Sequence, residues 1–183
     1  VPWQKIWRNL DWAVSHNLNT VDHLNERIAN GEFPHIVHES EALYESDVEV
    51  AANLIIERLD SLRMVMISGP SSSGKTTTTI KLEQKLIKKG YKFKALNVDH
   101  YFFDLEFHPK DEFGDYDFET PQALDLELIN EHLVRLSSGE EVMIPFYDFK
   151  TGTRKLDVTP MKLAKDELLL IDSLHGLYPA FSK

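Results

Sequence analysis

A three-layer α/β fold, with a parallel sheet covered by helices on both faces, is predicted by three observations. A short apolar run, Met64-Val65-Met66-Ile67, leads straight into Gly69-Pro70-Ser71-Ser72-Ser73-Gly74-Lys75-Thr76. A segment of helix formers follows and stops at Gly90. From Arg63 onward, strand-like and helix-like stretches then alternate, which is the pattern of a parallel sheet.

The glycine-rich segment is a full match to G-x-x-x-x-G-K-[ST]. Its glycines let the backbone approach a ligand closely, and consecutive N–H groups in such a loop cradle phosphates. Lys75 can reach the β- and γ-phosphates of a nucleotide, and the Thr76 hydroxyl can ligate Mg²⁺. The following helix adds the positive end of its dipole. Nucleotide contacts are therefore expected from Gly69, Ser71, Ser72, Ser73, Gly74, Lys75, Thr76 and Thr77. The fold class is that of the P-loop NTPases.

The elements follow in order. Residues 1–60 read as a helical region: an amphipathic piece from Ile6 to Ser15, a helix capped by Thr20 and ending near Asn30-Gly31, and a helix opened by the capping box Ser46/Glu49 and running to about Leu59. Residues 61–183 read as the P-loop domain. Its strands are 63–68, Tyr91 to Val98, Val142 to Tyr147 and 168–171. Pro145 puts the third of these at an edge or an end. A helix capped by Thr120, with Pro121 at its first position, carries Leu126, Ile129, Leu133 and Leu136 on one face and stops at Gly139. Residues 104–119 read as a long loop.

Composition narrows the function. The chain has 183 residues, is 42% hydrophobic, and carries a formal net charge of −10. That argues against binding duplex nucleic acid or an anionic membrane. There is no cysteine, hence no disulfide framework or thiolate metal site. No apolar stretch reaches membrane-spanning length. A cytoplasmic protein acting on small molecules is the expectation, with homo-oligomerisation left open. His35 and His38 lack a third ligand nearby and read as surface or packing residues. Asp111 to Gly114 matches D-x-x-G, but no N-K-x-D sequence accompanies it, which sets aside a GTPase switch.

Two carboxylates stand at strand ends. Asp99 follows Val98, and Asp172 follows the run Leu168-Leu169-Leu170-Ile171. Ligands of such sheets bind at the carboxyl edge. There an acidic residue can hold Mg²⁺, and a second can orient or deprotonate an attacking hydroxyl.

Residues 63–179 resemble the uridine kinase and phosphoribulokinase family of P-loop kinases. The likeness rests on the phosphate loop and on Asn97-Val98-Asp99-His100-Tyr101-Phe102, Tyr116-Asp117-Phe118-Glu119-Thr120-Pro121, Ile144 to Arg154, and Ile171-Asp172-Ser173-Leu174-His175-Gly176. The resemblance implies phosphoryl transfer from ATP or GTP, with Mg²⁺, to the 5′-hydroxyl of uridine, cytidine or a related nucleoside. It implies Asp99 and Lys75 as catalytic residues and Thr76, Asp172 and Asp99 as metal-binding ones. Tyr101, Tyr147, Phe149 and Arg154 are expected on the acceptor side. Two positions depart from the family: Asp172-Ser173 stands for the usual Glu-Gly, and Gly152 for the histidine with which uridine kinases read the base. The family's arginine-rich lid is expected beyond residue 183, in a longer protein, and residues 1–60 resemble a helical connector of a bacterial subgroup. A sugar phosphate or pantothenate acceptor, and a regulatory ATP-binding module without transfer, are the alternatives.

Overall fold

The computed structural model describes residues 3–70 and 72–181. Its chain divides into two compact units, Val1–Asp47 and Val48–Lys183. The division falls inside a helix.

The first unit contains α1 (Trp3–Ser15), α2 (Val21–Ala29) and the first half of α3 (Phe33–Ile56). Thr20 caps α2 as expected, accepting from the His23 N–H. The expected capping box at Ser46 does not exist. Ser46 lies in the middle of α3, because Pro34 sits in the first turn of this helix and no glycine or proline interrupts it afterwards. Arg27 ties the unit together, donating to Glu32 at 2.8 Å and to the His16 carbonyl at 2.8 Å.

The second unit holds β1 (Met64–Ser68), α4 (Lys75–Lys88), β2 (Lys92–Asn97), α5 (Leu126–Ser137), β3 (Glu141–Asp148), β4 (Thr153–Lys162) and β5 (Glu167–Ser173). The strands β1, β5 and β2 form a parallel sheet in that order. The central strand β5 is apolar on both faces, as a strand covered on both sides must be. Leu169 and Ile171 pack into the main core with Ile129, Leu133 and Leu136 of α5. Leu170 points the other way and lines a small cavity with Thr76, Thr79 and Ile80 of α4. Helices therefore cover both faces.

Two expectations change here. The strand predicted over 142–147 does not join the parallel sheet. It is β3 and pairs antiparallel with β4, a strand whose polar sequence shows little hydrophobic alternation. Pro145 marks the register shift between Ile144 and Phe146, where its missing N–H leaves no ladder bond to lose. Thr120-Pro121 opens only a short 3₁₀ turn, Pro121–Ala123. The helix α5 is capped instead by Asp125, which accepts from the Leu128 N–H at 3.0 Å.

Leu169 is fully buried at the centre of this core. Leu169→Ala should lower stability by about 2–5 kcal/mol. Urea denaturation would read this as a lower midpoint at unchanged slope; an unchanged midpoint would contradict the packing described.

Candidate active site

The parallel register sets the site. Asp172 on β5 lies level with Ile67 of β1 and Asn97 of β2, at the carboxyl edge of all three strands. From that edge the chain leaves β1 into the phosphate loop and leaves β2 into a 3₁₀ turn, Val98–Tyr101. The Asn97 side chain starts this turn by accepting from the Asp99 N–H at 2.9 Å.

Gly69 follows β1, and Gly74 is the N-cap of α4 with φ +86°, a conformation that glycine alone takes without strain. Ser72, at φ +58°, and Ser73 lie between them; Ser71 falls outside the described residues. Ser73 donates its N–H to the Pro70 carbonyl at 3.3 Å, and Lys75 Nζ donates to the same oxygen at 2.9 Å. Thr76 and Thr77 stand in the first turn of α4. The Thr76 hydroxyl donates to Asp172 Oδ2 at 3.4 Å, a long bond that a small shift would release.

A cavity of about 350 Å³ opens at this edge. Polar groups of Lys75, Thr76, Asp99 and Asp172 line it, together with Phe102, Phe118, Leu124 and Phe149 and with Glu119 and His175. Asp99 is open to the cavity, yet the surrounding protein atoms desolvate it in part. That desolvation comes first, and the negative charge of Asp172 second, in raising its pKa; Lys75 and His100 pull the other way. A carboxylate destabilised in this manner is a better proton acceptor. Burial lowers the pKa of His175, so the neutral ring is favoured.

The oxygen donors of Thr76, Asp99 and Asp172 fit a hard divalent cation. Two carboxylates crowd one edge, and one hydroxyl already touches a carboxylate oxygen. Among the described residues no group of three or more His, Asp or Glu could hold a metal alone. Mg²⁺ generally takes one or two carboxylates and fills its other positions with phosphate oxygens and water.

The residues expected on the acceptor side divide. Phe149 lines the cavity. Tyr101 does not: it is fully buried, and its hydroxyl is bonded to His132 Nδ1 at 2.9 Å, so it anchors the turn that carries Asp99. The expected acceptor contact at Tyr101 is thereby corrected to a core position. Burial raises the pKa of this phenol, so it keeps its proton, and burial lowers the pKa of His132 as well. Tyr147 is also buried, behind Phe102 and Phe149, and is not among the lining residues. Arg154 is committed elsewhere. It pairs with Asp125 at 2.9 Å and lies over the Phe103 ring at 5.1 Å. Residue reasoning passed over Phe102, Glu119 and His175 as site residues. Each sits inside a block that carried the family resemblance, which was the available signal.

Asp99 supplies a test that needs no substrate. Its folded-state pKa is raised, so ionisation opposes folding. The penalty is absent below the unfolded carboxylate value of about 3.9 and sets in as pH rises through the higher folded value. Asp99→Asn should therefore melt higher than wild type at neutral pH, with the gap closing as pH falls through the carboxylate range. A gap that is constant with pH would remove the electrostatic account.

Residues 64–180 match the sequence profile described as the Phosphoribulokinase / Uridine kinase family. A uridine kinase of Bacillus cereus (strain B4264) is 32% identical over 107 residues, covering 58% of this chain and 49% of its own. The chain spans about half the length of the curated relatives it matches. Among solved structures, a possible uridine kinase from Bacillus stearothermophilus is similar with a TM-score of 0.62 at 20% identity, covering 73% of each chain. A D-glycerate 3-kinase from Cryptococcus neoformans is similar with a TM-score of 0.54 at 18% identity, covering 70% of this chain and 52% of that one. At these identities the structural likeness concerns the fold.

Proposed function

The chain belongs to the phosphoribulokinase/uridine kinase family, and on that footing we propose that it transfers the γ-phosphoryl group of ATP to a hydroxyl of a small acceptor, the 5′-hydroxyl of uridine, cytidine or a related nucleoside. The observation that carries the reading is one cavity. It joins the phosphate-loop residues Lys75 and Thr76 to a carboxylate, Asp99, whose pKa is raised.

The roles follow from position. Backbone N–H groups of the loop and the N-terminus of α4 bind the β- and γ-phosphates. Lys75 turns from the Pro70 carbonyl to those phosphates and offsets their charge. Thr76 and Asp172 would hold Mg²⁺, which when bound neutralises charge on the phosphate oxygens. Asp99 accepts the proton of the acceptor hydroxyl as its oxygen attacks the γ-phosphorus, and ADP leaves with the bridging oxygen.

The acceptor side supports a nucleoside over a phosphorylated sugar. Its walls are aromatic, which suits a planar ring. Lys75 is the one Lys or Arg among the described lining residues, and Arg154 is spent on Asp125. No described cation is left in the lining for a second phosphate. The name of the Bacillus cereus relative points the same way. Among the described residues no helix is long and apolar enough to cross a membrane.

Lys75→Ala should weaken Mg·ATP binding by about 2–4 kcal/mol in calorimetric titration. Equal affinity in the two proteins would end the phosphate-loop assignment. Asp99→Asn in the intact protein should cut kcat by about 10²–10⁴ while ATP affinity holds within a few-fold. A variant keeping most of its kcat on the best acceptor would take the base role away from Asp99.

A further inference from the structure

Helix α1 meets the rest of its unit with its polar side. Lys5 and Arg8 both pair with Asp47 of α3, Arg8 at 2.9 Å. The half-buried Trp12 shares that side and stacks on His16. The apolar residues Trp3, Ile6, Trp7, Leu10 and Val14 gather about 180° around the helix from Lys5 and Arg8, at 3.6 residues per turn. They are between 39% (Ile6) and 68% (Trp7) exposed. A helix that packs on its own unit through an apolar stripe has the opposite arrangement.

The first unit has little else to hold it. Among its described residues Ile36 alone is buried. One buried side chain gains little against the entropy lost on ordering three helices. The five apolar side chains of α1, at these exposures, leave on the order of 600 Å² of contiguous surface, the top of the range for the largest patch on a typical monomer. Such a face calls for a partner.

The face is complementary to itself. Trp3, Trp7, Leu10 and Val14 follow one another in steps of four, three and four, the seam of a two-helix coiled coil. Laid antiparallel on a second copy, the seam sets Trp3 opposite Val14 and Trp7 opposite Leu10. Every layer then holds one indole and one aliphatic side chain. The flanks match as well: Ile6 falls beside Ala13, and the Gln4 amide beside the Asp11 carboxylate, donor to acceptor. A parallel pair would stack indole on indole in two layers and set Ile6 beside Asp11. Two copies face to face cover on the order of 1,200 Å², where stable interfaces begin. A lipid surface fits less well. The two cations of α1 are spent on Asp47, and the chain carries a net charge of −10.

We propose that the apolar face of α1 is a dimerisation surface, and that its partner is the same face of a second copy of this chain, packed antiparallel. The surface uses no residue that lines the cavity, so the proposal stands apart from the phosphoryl-transfer reading.

Sedimentation equilibrium of the intact protein tests it. Wild type should be a dimer at about 100 μM and dissociate on dilution into the micromolar range, as interfaces of modest area do. Trp7→Glu puts a charge into both central layers, at a position exposed enough to leave the fold of one copy alone. Its dimer affinity should fall at least about tenfold. The chain has no cysteine, so paired substitutions report the register. Trp3→Cys mixed with Val14→Cys should form a disulfide between copies under mild oxidation, and neither variant should cross-link by itself. A wild type that stays monomeric at the higher concentration would overturn the proposal, as would one that partitions onto phosphatidylcholine vesicles instead of self-associating. A dimer that Trp7→Glu leaves intact, or one in which either cysteine variant cross-links alone, would overturn it too.

Discussion

The position of β5 between β1 and β2 governs everything at the carboxyl edge. Its register sets Asp172 level with the last residues of both neighbours. The phosphate loop and the Asp99 turn then start from the same line. The strand holds that register because each face meets a different helix: Leu169 and Ile171 pack towards α5, and Leu170 towards α4. A slip of one residue would exchange the two faces and turn Asp172 into the core. Hydrophobic packing in the middle of the sheet therefore decides where charge stands at its end.

The parallel sheet was legible because its central strand is buried and reads as an apolar run, and because β1 leads straight into the phosphate loop. The Lys75–Lys88 helix was legible from its motif and its stop. What escaped the sequence were features set by tertiary contact. The Thr120-Pro121 signal is locally sound, yet the α5 helix begins at Leu126, since Asp125 is claimed both as its cap and as the partner of Arg154. Ser46 has the right neighbours for a cap but sits in a helix that began at Phe33. The β4 strand lacks an apolar stripe because much of it is exposed, so no periodicity announces it.

The site was legible to a similar depth. Lys75 and Thr76 of the motif line one cavity with the strand-end carboxylates Asp99 and Asp172, since strand ends are placed by the fold class alone. Aromatic residues are harder, because ring chemistry suits a core as well as a ligand. Tyr101, Phe102, Tyr147 and Phe149 all look alike in sequence. In the fold, Tyr101 binds His132 in the core, Phe102 and Phe149 form cavity wall, and Tyr147 stands behind them. The same holds for Arg154, whose charge looks available until Asp125 is seen beside it. Burial and pairing, which depend on the whole chain, separate these roles.

An acidic chain that binds a polyanion must concentrate its positive potential in one place. The net charge is −10, and Lys75 is the one Lys or Arg among the described residues lining the cavity. The phosphate loop adds backbone N–H groups, and α4 adds the positive end of its dipole. Facing them are Asp99, Glu119 and Asp172. Partial desolvation, and after it the charge of Asp172, raise the pKa of Asp99, while Lys75 pulls it down. A core designed for stability alone would not place two carboxylates so near each other. The arrangement makes sense when oxygen donors are needed beside phosphates, where a divalent cation converts repulsion into attraction. On the proposed reading, the same surroundings that disfavour the charge of Asp99 make it a better proton acceptor.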